Sequence, residues 1–129
     1  GRIARPMAKE IIKKGLVDLE ELWGSEVHLY YPGLYAGTTD VVGIYKGKPA
    51  IVDFKQTNRP KQESWVMDYK LQLAAYAMAH NVLFDTKINT AVILMCSRDR
   101  YFQKFELTEN EFWNISCKWM TRVAEFYGN

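Results

Sequence analysis

The sequence has little cysteine and no long hydrophobic run. Only Cys96 and Cys117 occur in 129 residues, too few for a disulfide framework and without the spacing of a metal-binding pair. We expect both to be buried free thiols in an intracellular, reducing compartment. The apolar runs are far shorter than the roughly 20 residues of a membrane-spanning helix. We therefore predict neither a membrane segment nor a signal peptide.

An excess of charge of one sign is also missing. Seventeen Lys and Arg residues face fifteen Asp and Glu residues, a formal charge of +2 that does not by itself indicate a nucleic-acid-binding protein. The basic residues are unevenly spread, since residues 46–70 carry six of them against three acids. With 48% hydrophobic and 25% charged residues the chain is globular in composition. Its length predicts one domain over residues 1–129.

Hydrophobic periodicity and turn residues predict a mixed α/β (α+β) fold. The predicted order is α-β-β-β-α-β-β-α, and the last strand is short and at an edge. Thr108 and Glu111 have the spacing of a capping box at the start of the last helix. The predicted helices cover 6–23, 63–81 and 108–126, and the strands cover 26–31, 35–45, 49–55, 89–97 and 101–106.

The hairpin of the second and third strands carries two acids inside apolar strands. Asp53 and Lys55 share a strand face because side chains alternate. A two-residue turn at 46–47 places Asp40 opposite Asp53, whereas a turn at 47–48 places it opposite Lys55. Either register puts the three side chains on one face. A three-residue turn would send Asp40 to the other face unless a bulge restored it.

Two interpretations of this acidic pair remain open. Burying a charge costs several kcal/mol unless the group is paired or binds a metal. Asp40, Asp53 and Lys55 could therefore form a structural salt-bridge cluster at a sheet end. They could equally hold a hard divalent cation, which prefers carboxylate oxygen, with the lysine beside a water molecule.

The long central helix adds a polar pair. Gln72 and Tyr76 are four residues apart and lie on one helix face, with Trp65 and Tyr69 on nearly the same stripe. A glutamine within an apolar stripe needs a hydrogen-bond partner. It either satisfies a buried backbone group or contributes to a site near the strand that carries Asp53 and Lys55.

Three motifs follow one another along the chain: Gly37-x-x-Asp40, the run Asp53-Phe54-Lys55, and Gln72-x-x-x-Tyr76. A lone D-x-K occurs often by chance, but this order of motifs is specific. Together the motifs resemble the PD-(D/E)xK nuclease superfamily, in the RecB-type exonuclease branch that includes mitochondrial and phage enzymes. The similarity covers residues 26–80, and beyond them it extends only to the order of elements.

The resemblance implies a restriction-endonuclease-like core and a metal-dependent active site. By position, Asp40 and Asp53 would bind Mg²⁺ or Mn²⁺ with help from the main-chain carbonyl of Phe54. Lys55 would position or activate water. Glu26 is similar to a recurrent acid of the family and is a further candidate ligand.

The same resemblance implies roles for Gln72 and Tyr76 of the central helix and an overall function. Gln72 and Tyr76 would complete the catalytic site and support the DNA. The expected function is a divalent-metal-dependent exonuclease on linear or single-stranded DNA, with phage origin and action in a host cytoplasm as one setting. The alternative is a non-catalytic nucleic-acid-binding or assembly module that retains the fold.

The chain departs from the branch at two places. Thr39 stands before Asp40, where proline is common. The first predicted helix offers Glu10, Glu20 and Glu21 but no histidine, and we expect the chain to lack an N-terminal helix that relatives have. The second departure concerns the upstream metal ligand and favours the binding-module alternative.

Basic residues around the hairpin form a predicted DNA-binding rim. Arg59 and Lys61 lie in a loop directly after the catalytic strand, and Lys46 and Lys48 flank the hairpin turn. Trp65 follows the loop and could stack on bases. The predicted role of the basic residues is to contact phosphates. The alternative is that they belong to an ordinary solvated loop.

Overall fold

The computed structural model describes residues 5–61 and 66–128. A 3₁₀ turn, Leu16–Asp18, follows the first helix. The mixed α+β class is confirmed, while the restriction-endonuclease-like assignment of the core stays a prediction. The elements are α1 (Arg5–Lys14), β1 (Leu19–Tyr31), β2 (Tyr35–Tyr45), β3 (Lys48–Thr57), α2 (Met67–Phe84), β4 (Thr90–Ser97), β5 (Phe102–Leu107) and α3 (Glu109–Phe126).

The strands form one mixed sheet in the order β1-β2-β3-β4-β5. The pairs β1–β2, β2–β3 and β4–β5 are antiparallel, and β3–β4 is parallel. A parallel pair needs a crossover connection, which α2 provides. β3 and β4 therefore end at the same edge of the sheet, and this edge carries the candidate site.

Both faces of the central strands are buried. Ile51 and Ile93 belong to the core under α2, whereas Val52 and Leu94 belong to the core under α1. This alternation explains why β4 is a continuous apolar run instead of an amphipathic strand. Ile115 joins α3 to the first of these two cores.

The first predicted helix is too long. α1 ends before Gly15, whose N–H donates to the Ile11 carbonyl at 2.8 Å, and Leu19 already pairs with Tyr45 of β2. The apolar residues of 19–23 fit a helical period, but Leu22 is 59% exposed. The helix prediction is wrong for these residues because they form an edge strand whose side chains are mostly exposed, so burial does not impose a strand period on them.

The second predicted helix ends too early. α2 continues to Phe84 and ends at Asp85, which has a left-handed φ of +54°. Asn81, where the prediction stopped, uses its amide to bind both backbone groups of Ile88, at 2.7 and 2.9 Å. The predicted start at Glu63 lies outside the described residues.

Two further predictions concern the start of the last helix and the burial of the two cysteines. The capping box of Thr108 and Glu111 is confirmed at α3. Cys96 is a buried free thiol, but Cys117 is exposed, so its predicted burial is wrong. It lies two residues after buried Ile115, on the solvent side of α3. No helix in the described part of the chain is long and apolar enough to span a membrane.

Candidate active site

The hairpin turn places the two acids of the hairpin opposite each other. Lys46 and Gly47 form the turn with positive φ angles of +50° and +80°, and Tyr45 pairs with Lys48. This is the first of the two predicted registers. The ladder runs to the pair Val41–Val52, and the next residues along the two strands are Asp40 and Asp53.

The side chains of this open end contact one another. The backbone N–H of Phe54 donates to Asp40 Oδ2 at 2.8 Å and fixes that carboxylate across the two strands. Lys55 Nζ lies 3.1 Å from Asp53 Oδ2. The structure thus brings together two carboxylates and one amine, as the register predicted, and their catalytic and metal-binding roles stay predictions.

Asp53 is the electrostatically unusual member of this group. Its residue is only 5% exposed. The pKa of Asp53 is raised to about 7. Burial is the largest cause, hydrogen bonding with the Asp40 carboxyl is the second, and Lys55 partly opposes the shift. The local cation is therefore insufficient to keep both carboxylates charged at neutral pH.

Gln72 and Tyr76 of α2 extend the group. Gln72 Nε2 donates to the Tyr76 hydroxyl at 2.7 Å, so within the described residues the glutamine's partner is a side chain. Burial raises the pKa of Tyr76, and the negative charges of Asp53 and Asp40 act in the same direction. The phenol therefore lies within electrostatic reach of the acids and is held neutral.

Tyr69 also belongs to this group, although the sequence predicts no role for it beyond its place on the helix stripe. Lys55 Nζ lies 5.1 Å from the centroid of its ring, within cation–π distance. Its spacing of three residues before Gln72 and seven before Tyr76 is the signal that could have added it to the site.

Glu26 is not brought into this group. It is exposed and has a left-handed φ of +49°, at an irregular point of β1 between the pairs Ser25–Val41 and Val27–Thr39. In residues 5–61 and 66–128 no three His, Cys, Asp or Glu side chains gather as a metal site. Its role as a ligand stays a prediction that this geometry does not favour.

The predicted DNA-binding rim divides into two parts. Lys46 and Lys48 are at the closed end of the hairpin, where they pair with Glu106 at 3.3 Å and Glu109 at 2.6 Å. Lys48 is five residues from Asp53, roughly 17 Å along the strand. Both lysines therefore lie at the end of the hairpin away from the carboxylate pair, and their role in DNA binding stays a prediction.

The other part of the rim adjoins the site. Arg59 and Lys61 follow β3 at the end where Asp53 and Lys55 lie. Trp65 is outside the described residues.

Comparison with known proteins gives exonucleases as relatives. Mitochondrial genome maintenance exonuclease 1 is 29% identical over 100 residues in Homo sapiens and 30% identical in Xenopus tropicalis. These matches cover 71% of this chain but only 28% of each relative. The chain thus corresponds to less than a third of their length. No family model matches the chain.

A solved structure shares the fold. A candidate exonuclease from Eubacterium rectale superposes with a TM-score of 0.61 at 17% identity, over 92% of this chain and 52% of that protein. The same overall arrangement of sheet and helices therefore occurs in a structure described as a nuclease candidate.

Proposed function

We propose that the chain is the nuclease domain of a divalent-metal-dependent DNA exonuclease that hydrolyses phosphodiester bonds of linear or single-stranded DNA. The observation that carries the proposal is the contact group of Asp40, Asp53 and Lys55 at the open end of the β2–β3 hairpin. The exonucleases found as relatives and the shared fold support it.

The residues present fit a hard divalent cation. Two carboxylates and the Phe54 carbonyl offer oxygen donors, which Mg²⁺ and Mn²⁺ prefer. The pKa of Asp53 is raised because burial and the neighbouring Asp40 disfavour its charged form. A bound cation would stabilise that charged form. Asp40, Asp53 and Phe54 would hold the ion. When bound, it would supply stabilisation of negative charge on the scissile phosphate.

The remaining side chains have roles that follow from their contacts. Lys55, held on Asp53, would orient a water molecule through its remaining N–H groups. The Tyr76 hydroxyl oxygen accepts from Gln72, which leaves the phenolic hydrogen able to donate to a phosphate oxygen. Gln72 is therefore a positioning residue for Tyr76, which would help bind and orient the DNA.

The test is degradation of end-labelled linear DNA. We expect the protein to shorten single-stranded DNA with Mg²⁺ or Mn²⁺ and to be inactive in EDTA. Asp53→Asn should be inactive. Asp85→Asn is the matched control because asparagine also tolerates the left-handed conformation at the end of α2. No cleavage by folded protein with either metal would contradict the proposal.

The alternative is a non-catalytic nucleic-acid-binding module. It is favoured by one observation, that Asp40 and Asp53 gain no third acidic or histidine ligand in the described ranges. Such a module would bind the same DNA in EDTA yet leave it uncut with either metal.

A further inference from the structure

A cleft of about 770 Å³ lies beyond the ends of β3 and β4. None of the described residues that line it is acidic. Its walls include three basic and three largely apolar side chains: Arg59, Lys61, Arg98, Met7, Pro60 and Tyr69.

The cleft is continuous with the candidate active site. Tyr69 lines it, and the same ring faces Lys55 Nζ at 5.1 Å. Thr57, another lining residue, is only two residues beyond Lys55 on β3. A DNA strand that runs from the carboxylate pair along β3 would therefore enter this cleft.

The basic loop over the cleft is held in place by a glutamine of β5. The Lys61 N–H donates to Gln103 Oε1 at 2.8 Å, and Gln103 Nε2 donates back to the Lys61 carbonyl at 2.7 Å. Thr57 Oγ1 also donates to the Arg59 carbonyl at 2.7 Å. These three bonds fix both ends of the segment that carries the two cations.

Gln103 belongs to the same row of the sheet as the catalytic lysine. Met95 is the register partner of Lys55 on one side and of Gln103 on the other. Side chains directly opposite across neighbouring strands share a face, so Gln103 is on the face of Lys55, about 10 Å away. The clamp on the loop is thus built on the rigid sheet that also carries the site.

Charge and apolar surface in the cleft fit one kind of ligand. Arg59 and Arg98 are exposed, and no ion pair within the described ranges engages them, in contrast to Lys46 and Lys48. Met7, Pro60 and Tyr69 add apolar surface to the walls. A duplex presents mainly phosphates, whereas a single strand presents phosphates to cations and base faces to apolar surface.

We propose that this cleft binds a single DNA strand next to the reacting phosphate, with Arg59 and Arg98 on its phosphates and Gln103 as the positioning residue that fixes the loop. This inference rests on the proposed nuclease function and specifies how the substrate strand is held. Pre-organising the loop avoids the entropy cost of ordering it when DNA binds.

Arg98 is tested by binding in EDTA, where cleavage does not interfere. We expect Arg98→Ala to weaken binding of a fluorescent single-stranded oligonucleotide roughly 3- to 10-fold and to lower the slope of log K against log salt by about 0.7, one phosphate contact. Lys87→Ala is the control of equal charge, since Lys87 precedes β4 whereas Arg98 follows it. Equal effects of the two variants would contradict the assignment of Arg98.

Gln103 is tested by a double-mutant cycle. Gln103→Ala alone should weaken binding roughly 3- to 10-fold, but by less than about 2-fold when Arg59 and Lys61 are already alanine. A purely structural loss would weaken binding equally in both backgrounds. Additive effects, or no effect of Gln103→Ala in folded protein, would overturn the positioning role.

The same measurements separate this inference from the proposed function. Single-strand binding by wild type that Arg98→Ala and Gln103→Ala leave unchanged would overturn only the cleft assignment. Binding of a blunt duplex as tight as that of the single strand would overturn the assignment to a single strand. Absence of DNA binding by wild type, with and without Mn²⁺, would overturn both proposals.

Discussion

Gly37 of β2 is packed directly against the ring of Tyr76 of α2, which occupies the position that a side chain at residue 37 would need. A Cβ built on Gly37 would lie 2.6 Å from Tyr76 Cε1, closer than real Cβ atoms come to their neighbours, and 3.0 Å from the phenolic oxygen, a tight contact. The glycine of the G-x-x-D motif therefore has a steric function: it lets the tyrosine of the Q-x-x-x-Y motif lie against the sheet. The two motifs are coupled through this contact.

Gly37→Ala should displace Tyr76 and reduce DNA cleavage. Overpacking of this kind costs about 1–3 kcal/mol of unfolding free energy. Replacing Tyr76 with leucine in the same chain removes the ring and should restore most of that stability without restoring cleavage. Urea unfolding and end-label degradation measure the two effects. A fully active, fully stable Gly37→Ala protein would show that the tyrosine position is irrelevant.

Lys55→Ala should abolish cleavage and leave the fold intact. Loss of a group that positions or activates water lowers rates by about 10²- to 10⁴-fold. The side chain is at a strand end, so its removal opens no large cavity. Lys48→Ala is the matched control on the same strand, because Lys48 pairs with Glu109 far from the acids. Comparable rates for the two variants would remove Lys55 from the mechanism.

The sequence was sufficient to predict that the three site residues share one face, but the choice between the two hairpin registers and the surroundings of the site needed the structure. Asp40, Asp53 and Lys55 could be placed together because strand alternation and a two-residue turn are local rules. The Gln103 clamp could not be predicted, since it depends on β5 pairing with β4 and on the path of the loop. Long-range contacts of this kind leave no local pattern.

The same distinction explains the wrong helix prediction at β1 and the unforeseen ion pairs at the hairpin tip. Residues 19–23 were assigned to a helix because an exposed edge strand lacks the period that burial imposes. The ion pairs of Lys46 and Lys48 could not be predicted, because their partners, Glu106 and Glu109, are about 60 residues away in sequence. Pairing across that distance was not visible in the hairpin itself.

The pKa of Asp53 predicts a specific pH dependence of metal-free stability. With a pKa of about 7 in the folded protein against an ordinary 3.8, the folded state binds a proton between pH 4 and 7 that the unfolded state releases. The unfolding free energy should therefore fall as pH rises through this window and level off above it. Asp53→Asn should remove this decline and be roughly 2–4 kcal/mol more stable than wild type at pH 8.

Urea unfolding in EDTA at pH 4, 6 and 8 measures this dependence. Asp85→Asn serves as the control and should keep the wild-type decline, because Asp85 caps α2 away from the carboxylate pair. If Asp53→Asn and wild type lose stability in parallel as the pH rises, Asp53 does not carry a raised pKa.

The last prediction concerns metal binding, because it separates an enzyme from a module that only retains the fold. A divalent cation that binds the folded state alone stabilises it by an amount that grows with its concentration. We expect millimolar Mn²⁺ to raise the melting temperature of wild type by a few degrees at pH 8, where Asp53 is charged, and less at pH 6, where a proton competes with the metal. Asp53→Asn should show no metal-dependent shift at either pH, whereas Asp85→Asn should behave as wild type. Equal shifts in all three proteins would indicate metal binding elsewhere on the chain. If wild type shows no shift even with a single-stranded oligonucleotide present, the two aspartates hold no ion, and the binding-module alternative replaces the exonuclease.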